Sequence, residues 1–158
     1  MKRKTIKKSV TNILEFRKTL TGIQGLDDIL MGGIPENRPT LLLGNAGCGK
    51  TILSMEFLIN GIVMFNEPAV FISFEENRDE LMLNVKSLGY NLDKHLADNE
   101  IYIEHIQINP ADFRETGKYD LEGLFVRLGQ AIDKVKAKRV VLDSLDTLFY
   151  GFDNTILR

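Results

Sequence analysis

The sequence predicts an α/β fold, a mainly parallel sheet flanked by helices, and three observations predict it. Short β-rich apolar runs alternate with longer segments whose apolar residues recur at helical spacing. The run at 69–74, Ala-Val-Phe-Ile-Ser-Phe, is almost continuously apolar, as a strand covered on both faces must be. Between the first such run and the first long helical segment lies Gly44-Asn45-Ala46-Gly47-Cys48-Gly49-Lys50-Thr51, a glycine-rich turn in strand-to-helix context.

Taken in order, residues 1–20 read as a basic arm, with a short helix around Ile13, Leu14 and Phe16, and residues 21–158 as one domain. Leu26 to Met31 predicts a short apolar helix, closed by Gly32-Gly33 and then Pro35. The first strand is expected at 40–43, and the helix after the glycine loop at 51–65, through Leu53, Phe57 and Ile62, stopped by Asn66-Glu67-Pro68. The strand at 69–74 completes a βαβ unit. A helix follows at 78–88 along Leu81, Val85 and Leu88, with Gly89 after its end, then a helical turn near 93–96 and a strand at 101–106. Residues 107–120, with Pro110 and Gly117, form a long loop. Leu121, Leu124, Leu128, Ile132 and Val135 mark a helix over 121–135, and Arg139-Val140-Val141-Leu142-Asp143 a buried strand ending in a carboxylate.

Composition narrows the function. At 44% hydrophobic and 27% charged, the 158 residues can bury a core, which excludes a disordered chain. Seven of the 20 basic groups and one of the 22 acidic groups fall in the first 20 residues, giving +6 there and −8 over the rest. An acidic body argues against a broad nucleic-acid-binding face, and the arm reads as a solvated basic segment. A single cysteine excludes an internal disulfide and a multi-cysteine metal site. His95 and His105 stand apart from it and from any acidic cluster, so no histidine metal site is expected. No apolar run approaches the roughly 18 residues of a membrane span, and no apolar segment follows the basic start as in a secretory signal. The expected location is the cytoplasm.

The glycine loop carries the chemistry. Its spacing fits G-x-x-x-x-G-K-[ST], the phosphate-binding P-loop. A polyphosphate is held by several backbone N–H groups converging at a helix N-terminus, and side chains would block that approach. Gly44, Gly47 and Gly49 supply the turn, Asn45, Ala46 and Cys48 the intervening amides, Lys50 a mobile charge for the β- and γ-phosphates, and Thr51 a hydroxyl for Mg²⁺. ATP with Mg²⁺ is the expected ligand. A thiol at Cys48 beside Lys50 could let oxidation gate binding; the plainer reading is a small residue at a variable position.

Hydrolysis needs an acid serving Mg²⁺ and a group orienting the attacking water. Asp143, at the carboxyl end of a parallel strand, stands where open α/β sheets place ligands, and serves Mg²⁺ directly or through water; its competing reading is a cap on the next segment. Glu75 and Glu76 follow the strand at 69–74 at the same sheet edge. Adjacent residues there face opposite ways, so one is expected to reach the water while the other orients it or pairs elsewhere. The competing reading is an acidic, dipole-favoured start to the next helix.

Thr21-Gly22-Ile23, Gly25 through Leu30, Gly32-Gly33-Ile34-Pro35, the loop 44–51, Phe57-Leu58, Asn60-Gly61-Ile62, Phe65-Asn66-Glu67-Pro68, Phe74-Glu75-Glu76 and Val141-Leu142-Asp143-Ser144 together resemble the KaiC family of RecA-type ATPases. The resemblance is nearest to the first, N-terminal ATPase repeat of the family's clock members. It implies a RecA-like core, a hexameric ring with ATP between subunits, slow hydrolysis assisted by Glu75 and Glu76, Asp143 in the Walker B role, and docking of a KaiB-type regulatory protein. The family's loop more often carries small hydroxyl residues where this chain has Asn45, Ala46 and Cys48. Only 15 residues follow Asp143, so the chain resembles a core lacking its last strands and the second repeat with its phosphorylation sites. Autokinase activity is therefore not expected, and an unpaired sheet edge predicts self-association. Two other functions fit the same core: a recombinase-type, DNA-dependent ATPase, and a non-hydrolysing, nucleotide-gated assembly domain.

Overall fold

The computed structural model describes residues 17–107 and 121–149. The arm's helix at 13–16 and most of the loop at 107–120 lie outside them. The centre is a three-stranded, wholly parallel sheet in the order β4-β3-β5, with β3 at Ala69–Ser73, β4 at Ile101–His105 and β5 at Arg139–Asp143. Registers run Ala69 to Ile101 and Arg139, and Ser73 to His105 and Asp143, so all three strands end level at one edge.

Side-chain alternation on these strands divides the core in two. Ala69, Phe71, Ile101 and Ile103 face helices α2 (Lys50–Phe65), α3 (Arg78–Ser87) and α4 (Asp93–Ala97), meeting Met55, Leu58, Ile59, Ile62, Leu81 and Val85. Val70 and Ile72 face α5 (Leu121–Val135), meeting Leu124, Ala131 and Val135. Every residue of β3 is buried, which is why its sequence is apolar without alternation. Each large side chain buried in this way contributes about 1.5–3 kcal/mol. The predicted helices fall within a residue or two of those observed. Gly89, at φ 90, supplies the left-handed residue after α3.

The expected strand at 40–43 does not form. A strand exists through paired N–H and C=O groups, and this run has no ladder partner among the described residues. Its side chains stand in solvent, Leu41 at 67% and Leu43 at 80% exposure. Chain direction before it is set instead by a two-residue antiparallel pair, β1 (Lys18–Thr19) with β2 (Ile34–Pro35). Helix α1 is shorter than expected, Leu26–Ile29, because Met31, Gly32 and Gly33 all take positive φ. Gly33 is required there: a Cβ would run into the Thr19 carbonyl.

Two polar anchors fasten these elements to α2. Asp27 accepts from the Thr21 amide and hydroxyl, each at 2.8 Å, and from the Gly22 amide at 3.0 Å. The Gly22 carbonyl in turn accepts from Asn60 Nδ2 at 2.9 Å. Desolvation pushes the Asp27 carboxyl up, but these donors and the Arg139 charge outweigh it and hold its pKa below the usual value. Arg139 is the second anchor, 3% exposed. It donates to Glu67 Oε2 at 2.7 Å, the Phe57 carbonyl at 2.9 Å and the Leu20 carbonyl at 2.8 Å, and stacks on Phe57.

Candidate nucleotide site

The site is the edge where the three strands end. Gly47 (φ 76) and Gly49 (φ 91) turn the loop through left-handed backbone that a side chain would strain. At Gly44 a Cβ would meet Cys48 Sγ and displace that side chain. Gly49 caps α2, so the first turn of that helix presents its free N–H groups to the loop. Loop residues 44–48 are exposed, and two shallow hollows, of about 210 Å³ beside α3 and about 230 Å³ between β4 and α5, lie elsewhere. A phosphate cradle is a rim of donors and needs no cavity.

Lys50 Nζ donates to the carbonyls of Gly44 at 2.9 Å and Asn45 at 3.1 Å, which places its charge over the loop. The Thr51 hydroxyl donates to Asp143 Oδ2 at 2.6 Å, across 92 residues of sequence. The first turn of α2 and the end of β5 therefore share one point. Two oxygen donors meeting there, one of them anionic, suit a hard cation such as Mg²⁺.

The two glutamates diverge. The ladder runs one bond past β3, with Phe74 N donating to the Asp143 carbonyl at 2.7 Å, and then releases the chain. Glu75 Oε1 accepts from the Ser144 hydroxyl and from Thr147 Oγ1 at 3.2 Å, at the start of α6 (Leu145–Phe149). Glu76 Oε2 instead accepts from Asn84 Nδ2 of α3 at 3.1 Å, and its carbonyl takes the Ser73 hydroxyl at 2.6 Å. Asn77 caps α3 by accepting from the Glu80 amide at 3.0 Å. The structure thus joins Thr51 to Asp143, holds Lys50 over the loop, ties Glu75 to the same β5–α6 corner, and turns Glu76 toward α3.

Sequence reasoning missed Ser144, Thr147 and Asn84 as partners of these carboxylates. The available signals were faint: Ser144 follows the strand-end aspartate, with Thr147 one helical turn on. It also missed Arg139, legible only as a cation opening an otherwise apolar strand, with Glu67 at the start of its neighbour.

Comparison with known proteins shows the family to which the chain is similar. The family model described as ATPase: KaiC matches residues 19–158. The circadian clock protein KaiC2 of Synechocystis sp. (strain ATCC 27184 / PCC 6803 / Kazusa) is 51% identical over 142 residues, covering 90% of this chain and 25% of that protein. The circadian clock oscillator protein KaiC of Prochlorococcus marinus (strain MIT 9313) is 41% identical over 140 residues, covering 89% of this chain and 28% of its own length. That of Acaryochloris marina (strain MBIC 11017) is 41% identical over 147 residues, covering 93% and 28%. The chain spans about a quarter of the length of these relatives. With a parallel α/β sheet of RecA-like kind beneath a P-loop, and a family match running through both, the chain belongs to the KaiC ATPase family.

Proposed function

We propose that this chain is an ATP-binding, slowly hydrolysing ATPase module. The observation that carries the reading is the 2.6 Å contact between Thr51 and Asp143, which joins the helix after the P-loop to a strand-end carboxylate. In this reading the amides of residues 44–49 hold the polyphosphate and Lys50 sits on the β- and γ-phosphates. Thr51 and Asp143 would hold Mg²⁺, which when bound neutralises charge developing on the phosphate oxygens. Glu75 orients and deprotonates the attacking water, while Glu76, held by Asn84 on α3, is the partner that pairs elsewhere. Residues 21–158 form the ATPase domain and residues 1–20 a basic arm. The relatives' clock names support a role in rhythm or signalling. Assembly into a hexameric ring, docking of a KaiB-type regulatory protein and a cytoplasmic location belong to the same proposal. Among the described residues no helix is long and apolar enough to cross a membrane.

Exposed Leu41, Leu42 and Leu43 beside the loop favour a second reading, in which ATP is a structural ligand that gates assembly. Phosphate release under single-turnover conditions separates the two. The first predicts that the doubly substituted Glu75→Gln, Glu76→Gln chain binds ATP·Mg²⁺ as the parent does and loses turnover. Unchanged turnover would show the base is misplaced, and no turnover by the parent chain would favour gated assembly.

A further inference from the structure

Glu75 is exposed and lies in the irregular stretch between β3 and α3, beyond the last ladder bond. A free glutamate there would spread over many rotamers, and fixing it costs up to about 1.5–2 kcal/mol of side-chain entropy. A group that must orient a water cannot be so diffuse, because misplacement by about 1 Å costs on the order of a hundredfold in rate. Two hydroxyls from one corner restrain it: Ser144 and Thr147 both donate to the same oxygen, Oε1. The other oxygen, Oε2, has no protein donor among the described residues.

Thr147 is the stiffer of the two clamps. Its Cβ is branched, so helical backbone narrows χ1 to two rotamers, of which the observed one aims the hydroxyl at Glu75, whereas a serine hydroxyl swings more freely. It rises from α6, immediately after the strand that delivers Asp143 to Thr51. The carboxylate's direction is therefore set by the same corner that carries the proposed Mg²⁺ ligand. Glu76 has no share in this corner, being bound to Asn84 on α3.

The geometry points to Thr147 as a positioning residue for Glu75, acting on turnover through the carboxylate and not on nucleotide affinity. This rests on Glu75 serving the attacking water. Thr147→Val keeps the branched shape and removes the donor; Thr147→Ser keeps the donor. Losing one hydrogen bond to a charged group that matters only in the reacting complex predicts about a tenfold fall in kcat for Thr147→Val, with KM within about twofold of the parent. Thr147→Ser should recover most of the rate, and in a Glu75→Gln background Thr147→Val should cost nothing further. ATP turnover by the whole chain, with the thermal midpoint of each variant recorded, reads all three. A Thr147→Val chain that turns over like the parent while Glu75→Gln is dead would overturn the positioning role alone. Full turnover by Glu75→Gln would overturn the catalytic assignment and this inference with it. Equal losses in Thr147→Val and Thr147→Ser, or a further loss in the Glu75→Gln background, would assign Thr147 a purely structural part.

Discussion

Replacing Arg139 by alanine, with and without Gly61→Ala, separates a buried charge that holds the fold from one that merely occupies it. Arg139 is 3% exposed and carries three hydrogen bonds, and its partner Glu67 has a side chain 33% exposed. Breaking a fully buried pair costs about 3–5 kcal/mol; because Glu67 can rehydrate, the lower end applies, and the orphaned Phe57 and Leu20 carbonyls add to it. About 3–4 kcal/mol lost corresponds to a thermal midpoint lower by roughly 6–16 °C for a domain of this size. Gly61 lies in α2 beneath the guanidinium, and a Cβ there would overlap Arg139 Cδ and Nε. Alanine at 61 therefore overpacks at about 1–3 kcal/mol, against up to about 1 kcal/mol gained in helix propensity. With Arg139 intact, Gly61→Ala should be neutral to destabilising. With Arg139→Ala the clash is gone, and the same substitution should stabilise. Urea unfolding of the four chains, followed by circular dichroism, reads the cycle. Equal effects of Gly61→Ala in both backgrounds would refute the packing argument.

Asp27 gives a pH-dependent prediction. Its pKa is held below the ordinary 3.8, so its contribution is present above the unfolded value and lost as pH falls through the folded one. Asp27→Asn should lower the urea midpoint at pH 7, with the gap to the parent closing below about pH 4; a gap that stays constant to pH 3 would contradict this. Cys48 is exposed and lies within the glycine loop proposed to hold the phosphates. N-ethylmaleimide should therefore block nucleotide binding at least tenfold, and saturating ATP·Mg²⁺ should slow the alkylation, whereas unprotected alkylation would place the nucleotide elsewhere.

Legibility in the sequence followed physical range. Elements whose apolar pattern is local and long, such as α5 with its five spaced aliphatics or the uninterrupted β3, could be read to within a residue or two. The run Leu41-Leu42-Leu43 has the composition of a strand, yet pairing is a property of two segments, and its apolar surface stays in water. β1 and β2, two residues each, are too short for any periodicity to register. At the proposed site, the turn of the loop was legible because backbone geometry dictates Gly47 and Gly49, and the placing of Asp143 and Glu75 at one edge because parallel strand ends collect there. The partners of the glutamates were not, since Ser144, Thr147 and Asn84 become neighbours only through the crossing of β3, β5 and α3. Arg139 was hidden for the same reason: its three acceptors are 72, 82 and 119 residues away.

The central claim is that residues 44–51 hold a nucleotide's phosphates. Isothermal titration of ATP·Mg²⁺ into the chain and into Lys50→Ala tests it most directly. Loss of one charged donor to phosphate predicts saturable binding by the parent and affinity weaker by about 10- to 100-fold in the variant. Parent-like binding by Lys50→Ala, or no binding by the parent, would contradict it.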